Sequence, residues 1–276
     1  MLVCAACHGG DSGAKERTMT SNTIEVMGTP MFYQESGHGR PVVLVHGNTG
    51  SSRWWTMVMD LPGCRVIAPD LPNFGRSGAL AVADIDAYAD HLAAFMAALG
   101  LDKPVVVGHS LGGAVVMAMA ARQPALPAAL VLVDGAAPGG LVTPEAHYPI
   151  IELYRTNRDF MRKALAAVTP TMTDGTLLDA LTDDAMLMAG HAFAGNARAL
   201  SHFDYRDRAG AFKGPVLVVW GRKDIIITEA MARETVAAYS AARLEIAETV
   251  GHSLMVEDPA RFMSIMTTFM GTLPKP

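Results

Sequence analysis

Cysteine is scarce in this sequence. Three cysteines occur in 276 residues, with Cys4 and Cys7 near the start and Cys64 alone thereafter. That number excludes a disulfide-stapled scaffold and points to a reducing compartment and a cytoplasmic location. Charge is also sparse: 22 basic and 27 acidic residues make up 18% of the chain and leave a formal net charge of -5. No broad basic surface can form, so neither nucleic acid nor an anionic membrane is an expected partner. Long apolar runs are missing as well. No stretch approaches the roughly 20 residues of a membrane-spanning helix, and residues 1–20 lack the apolar segment of a signal peptide. The histidines show no metal-ligand spacing of the H-E-x-x-H kind, and no metal or organic cofactor is expected. Cys4, Cys7 and His8 do spell C-x-x-C-H, a nominal haem-attachment pattern. It stands in a short polar leader with nothing haem-like around it and is read as a chance match.

Apolar residues, by contrast, make up 50% of the chain. A chain of this length buries roughly 70–75% of its extended surface, so one sizeable core can hold it without cross-links. Short valine-rich runs recur at Val42–Val45, Val66–Ala68, Val105–Val107, Leu130–Val133 and Val216–Trp220. Runs that are apolar throughout, without alternation, suit strands covered on both faces, as in a mostly parallel sheet. Helical patterns fall between them at Ile85–Leu99, Gly112–Ala121, Glu229–Tyr239 and Pro259–Leu273, and Asp84 and Asp258 are suited to cap two of these. The alternation predicts an α/β fold, with a mostly parallel central sheet flanked by helices.

The rhythm breaks between Pro138 and Gly214, where no valine-rich run occurs. Helical pieces around Ile150–Val168, Thr176–Met188 and Gly195–His202 fill this stretch, which is too long for a plain loop. The economical division is a flexible leader (1–22), a core formed by 23–137 and 214–274, and an inserted helical cap (138–213).

The strongest local motif is Gly108-His109-Ser110-Leu111-Gly112-Gly113, between a predicted strand and a small-residue helix. This is the G-x-S-x-G nucleophile elbow, in which a sharp turn lifts the serine Oγ clear of the backbone and small neighbours let strand and helix pass closely. A serine nucleophile needs a base and a group to orient that base. Of nine histidines, His252 is the best placed, in a loop after the last predicted strand. Asp224 is the favoured acid, in the loop leaving Val216–Trp220, with Asp134 as its rival at the end of Leu130–Val133. The order Ser110, Asp224, His252 is the nucleophile–acid–histidine order of this arrangement. The backbone N–H groups of Leu111 and Asn48 are the expected oxyanion donors, Asn48 lying in His46-Gly47-Asn48-Thr49-Gly50 after an earlier strand.

With these residues the chain resembles the α/β-hydrolase superfamily, in the branch of small capped serine esterases and lactonases. The matching features are His46-Gly47, the segment Asp70-Leu71-Pro72-Asn73-Phe74-Gly75-Arg76-Ser77, the elbow, Asp224 and Gly251-His252, spanning about Ile24 to Leu273. The resemblance implies an α/β-hydrolase fold and a structural role for Asp70, Gly75 and Ser77. Asn73 stands where the family usually has glycine, and asparagine tolerates left-handed backbone better than most residues. Ser110 argues against relatives that use aspartate there.

The expected activity is hydrolysis of a carboxylic ester or lactone of a small to medium hydrophobic substrate through an acyl-enzyme. The alternatives are a carbon–carbon bond hydrolase of aromatic ring-cleavage products and a non-catalytic ligand-binding protein on the same fold. Trp54, Trp55 and Phe74 are the expected substrate-binding residues beside the site. The polar residues of the inserted segment, namely His147, Arg155, Arg158, His191, Asn196, Arg198 and His202, are each read as solvated. The sequence leaves a homodimer open.

Overall fold

The computed structural model describes residues 19–275. Cys4, Cys7, His8 and most of the leader lie outside them. Among the described residues the first element is β1 (Thr20–Val26), which starts inside the stretch expected to be leader. It pairs antiparallel with β2 (Thr29–Gly37), from Thr20 opposite Glu35 to Val26 opposite Thr29. The two-residue turn between them, Met27-Gly28, has φ of 51° and 78°, the sign that matches the twist of a tight hairpin. That hairpin pulls Thr20, Ser21 and Asn22 into the sheet and corrects the leader boundary.

The remaining strands are β3 (Arg40–Val45), β4 (Cys64–Pro69), β5 (Val105–His109), β6 (Ala129–Val133), β7 (Val216–Gly221) and β8 (Ala242–Ala247). The eight strands among the described residues form one sheet in the order β1-β2-β4-β3-β5-β6-β7-β8. The pairs from β4 to β8 are parallel, and β1 and β2 join antiparallel at one edge. β5, β6 and β7 are buried along their whole length, which explains why their sequences show no alternation.

Helices α1 (Ile85–Ala98) and α2 (Leu111–Arg122) follow β4 and β5. Four more helices lie between β6 and β7: α3 (Tyr148–Thr156), α4 (Arg158–Val168), α5 (Gly175–Ala185) and α6 (Gly190–His202). Then come α7 (Glu229–Ala237), α8 (Leu254–Glu257) and α9 (Pro259–Gly271). The single helix expected over Ile150–Val168 is two. Asn157 leaves helical geometry (φ -132°, ψ 100°) and its side chain caps α4 by accepting from Phe160 N–H. Asp84 and Asp258 cap α1 and α9 in the same way, at 2.8 and 2.9 Å. Among the described residues no helix is long and apolar enough to cross a membrane.

Candidate active site

The C-terminal ends of the parallel strands, the usual place for a site in an open α/β sheet, open into a cavity of about 700 Å³ roofed by α3, α4 and α6. Ser110 stands at the end of β5 with φ 53° and ψ -119°, a strained backbone for a residue with a Cβ. Its surroundings show what the elbow requires. A Cβ on Gly108 would sit 2.4 Å from the carbonyl oxygen of Gly112, and one on Gly112 would sit 2.4 Å from that of His46. Strand, turn and helix are thus in backbone contact, and only glycine fits at those two positions.

His252 lies in the loop between β8 and α8, buried, and lines the cavity together with Ser110. Its Nδ1–H donates to Asp224 Oδ2 at 2.7 Å. Asp224 leaves the end of β7, and its Oδ1 accepts from the backbone N–H groups of Ile226 and Ile227 at 2.7 and 3.1 Å. That carboxylate therefore accepts from three donors, which fix its orientation toward the imidazole. Bonding Nδ1 to Asp224 leaves Nε2 as the free acceptor of the ring.

Three neighbours that sequence reasoning passed over hold His252 in place. His109 Nε2–H donates to the His252 carbonyl oxygen at 2.8 Å, and the two rings lie 4.9 Å apart. Burial, with His252 beside it, drives the His109 pKa well below its ordinary value, so this ring is neutral. Glu257 accepts from the N–H groups of Gly251 and Ser253, on either side of His252, and from the Thr171 hydroxyl at 2.7 Å. The His252 N–H donates to the Val168 carbonyl at the end of α4. A glutamate five positions beyond a predicted histidine was the one available signal.

Asp134, the rival acid, is buried at the end of β6 with φ 45°, and its Oδ1 accepts from Gly221 N–H at 2.8 Å. Burial raises its pKa well above the ordinary carboxylate range, and the neighbouring Asp224 pushes the same way. Burial thus favours the protonated form of Asp134.

Asn48 and Thr49 line the cavity next to Ser110, and Leu111 is the first residue of α2 behind it. The loop that carries Asn48 is fixed from beneath. His46 Nε2 accepts from Leu71 N–H at 2.9 Å, and burial lowers the His46 pKa, keeping the ring neutral. Asp70 accepts from Ser52 N–H and Arg76 N–H, and Ser77 Oγ bridges the Asp70 carbonyl and Phe32 N–H. A Cβ on Gly75 would meet Asp70 Oδ2 at 2.3 Å. Asn73 takes φ 75° and supplies the turn that glycine would otherwise make.

Of the three expected substrate-binding aromatics, Trp54 lines the cavity, but Trp55 and Phe74 are fully buried away from it. Trp55 packs against Phe262 and the edge of His109, and Phe74 against His46 and Tyr88. Those two are core residues beneath the site. The apolar wall comes instead from the inserted helices, through Ile151, Tyr154, Met161, Leu165 and Phe193. Asn196, expected to be solvated, is fully buried. His147 also lines the cavity.

Known proteins share this arrangement of strands and helices. The family model described as "alpha/beta hydrolase fold" matches residues 40–259. A non-heme haloperoxidase of Rhodococcus erythropolis is 30% identical over 249 residues, covering 82% of this chain and 90% of that protein. A 2-hydroxy-6-oxo-6-(2'-aminophenyl)hexa-2,4-dienoic acid hydrolase of Metapseudomonas resinovorans is 28% identical over 284 residues, covering 94% of this chain and 93% of its own. An esterase structure from Exiguobacterium antarcticum shares the fold with a TM-score of 0.83 at 21% identity, covering 92% and 100% of the two chains. With the match running from β3 into α9, the chain belongs to the alpha/beta hydrolase family.

Proposed function

We propose that this protein is a serine hydrolase that cleaves a carboxylic ester or lactone of a small to medium hydrophobic substrate through an acyl-enzyme. The observation that carries the reading is the Asp224-bonded imidazole of His252 sharing one cavity with Ser110 on its strained turn. In this mechanism the carbonyl carbon sits over Ser110 Oγ, and His252 Nε2 takes the hydroxyl proton as Oγ attacks. Asp224 stabilises the imidazolium that forms. The N–H groups of Leu111 and Asn48 receive the developing oxyanion, a contribution of about 3 kcal/mol for each such donor. His252 then protonates the leaving alkoxide. Water attacks the acyl-enzyme by the reverse sequence, with His252 again as base.

The cavity supports the choice of substrate. Its described lining holds no lysine, arginine, aspartate or glutamate, and the part formed by α3, α4 and α6 is mainly apolar. In this reading residues 138–213 act as a cap over the substrate. A carbon–carbon bond hydrolase of acidic ring-cleavage products would need a cation for the substrate carboxylate. The arginines of the inserted segment are engaged elsewhere: Arg155 with Glu152 at 2.8 Å, Arg158 with Asp183 at 2.6 Å, Arg162 with Asp179 at 2.6 Å, Arg206 with Asp204, Arg198 over the Tyr148 ring and Arg208 over the Tyr205 ring. A neutral ester or lactone is therefore the better-supported substrate.

The test is hydrolysis of 4-nitrophenyl esters from acetate upward, with Ser110→Ala beside the wild type. The variant is expected to lose more than about a thousandfold in kcat. Retention of activity by Ser110→Ala would remove the serine from the mechanism.

A further inference from the structure

A chain of buried side-chain hydrogen bonds runs from the loop after β4 to the cavity. Asn73 Oδ1 accepts from Leu80 N–H at 2.7 Å, and Asn73 Nδ2 donates to Tyr88 OH at 2.9 Å and to the Val82 carbonyl at 3.2 Å. Tyr88 OH donates to Asn196 Oδ1 at 2.9 Å, and Asn196 Nδ2 donates to Asn48 Oδ1 at 2.9 Å. Tyr88 and Asn196 are fully buried and Asn73 nearly so.

The direction of this chain is not free. A backbone N–H can only donate and a backbone carbonyl can only accept. Leu80 and Val82 therefore fix which end of the Asn73 amide faces which neighbour. The Asn73 NH2 group then occupies the acceptor side of the Tyr88 hydroxyl, whose proton must go to Asn196 Oδ1. The Asn196 NH2 group is left to face Asn48 Oδ1. At the end of the relay the Asn48 amide presents its NH2 group elsewhere, and among the described residues nothing accepts from it. Asn48 lines the cavity beside Ser110.

We propose that the Asn48 side-chain amide is a specificity-determining donor for a second acceptor oxygen of the substrate, and that Asn73, Tyr88 and Asn196 are positioning residues that fix its polarity. The proposal rests on the ester-hydrolase reading above. Covalent geometry sets the place of that oxygen. The Asn48 N–H assigned to the oxyanion and Asn48 Nδ2 belong to one residue and can be no more than ~5 Å apart. Donors so close together are matched by acceptors close together, so the proposal places the second oxygen near the scissile carbonyl, on acyl groups oxygenated at carbon 2 or 3, such as 2-alkoxy or 3-oxo esters. A plain alkanoyl ester leaves the donor unpaired on binding, which costs selectivity in favour of the oxygenated substrate.

The experiment measures kcat/KM for matched pairs of 4-nitrophenyl esters, plain and 2-alkoxy or 3-oxo, of equal chain length. The oxygenated-to-plain ratio in each variant is divided by that of the wild type, which cancels the intrinsic reactivity of the esters. In Asn48→Ala the ratio is expected to fall about tenfold or more. Asn196→Asp, which can only accept, forces the Asn48 amide to turn its oxygen to the cavity, and the ratio is expected to fall at least as far. If Asn196→Asp does not fold, Asn48→Asp replaces it, since Asn196 still donates to it while an acceptor faces the substrate. Ser110-dependent turnover with an unchanged ratio in these variants would overturn the proposal and leave ester hydrolysis standing. Absence of Ser110-dependent turnover on every ester would overturn both.

Discussion

At the scale of single residues, two aspartates at neighbouring strand ends show how burial assigns different jobs to one side chain. Asp224 accepts three hydrogen bonds, one of them from His252. Asp134 accepts one backbone bond and is fully buried next to Asp224, and burial first, then that neighbour, raise its pKa and favour its protonated form. Since its folded pKa is raised, the folded chain holds a proton that the unfolded chain releases above about pH 4. The associated stability is fully present below that pH and is lost as pH rises through the raised folded value. Asp134→Asn replaces the neutral acid with a neutral amide of the same shape. It is expected to melt above the wild type at pH 8 and to lose that advantage at pH 4, as read by calorimetry. An advantage that is larger at pH 4 would contradict the protonated state. Asp224→Asn is expected to lower kcat by about 10⁴, since the amide imposes the wrong tautomer on His252. Asp134→Asn keeps activity within a few-fold of wild type on the same esters.

At the scale of elements, the loops around the site are held by carboxylates and glycines whose partners lie far along the chain. Glu257 accepts from Gly251 and Ser253 and so sets the path of the backbone through His252. Glu257→Ala strands three amide donors, those of Gly251, Ser253 and Thr171, each worth about 1–3 kcal/mol where water is kept out. Its kcat is expected to fall by tenfold or more with KM little changed, measured on a short-chain ester. A lower melting temperature with unchanged kcat would reduce Glu257 to a structural role. The strands were legible because β5, β6 and β7 are covered on both faces and so read as unbroken valine-rich runs. Ser110, Asp224 and His252 were legible because each sits at a turn or in a loop beside a recognisable strand. The orientation of loop aromatics was not legible. Trp54 and Trp55 are adjacent in sequence, yet one faces the cavity and the other the core. Nor was the role of Asn196, whose bond to Asn48 spans 148 positions and leaves no local periodicity to read.

At the scale of the whole molecule, the sheet supplies the polar floor of the cavity and the segment between β6 and β7 supplies its apolar wall. The two are stitched at several points. Ser51 Oγ and Arg53 donate to Asp184 on α5, Asn196 on α6 donates to Asn48, and Val168 at the end of α4 accepts from His252 N–H. A substrate chain lying along that wall leaves water one methylene at a time. Each buried CH2 contributes about 0.8 kcal/mol, or about fourfold in kcat/KM. The wild type is therefore expected to gain up to about fourfold per added carbon along a 4-nitrophenyl ester series until the ~700 Å³ is filled, and to fall beyond that length. Ala164 and Ala197 are small residues in the wall, on α4 and α6. Ala164→Phe or Ala197→Phe shortens the space available, so the optimum is expected to move to shorter acyl chains while acetate turnover is retained. If the optimum stays put in both variants, the acyl chain does not lie against α4 and α6, and the apolar wall serves the alcohol group instead.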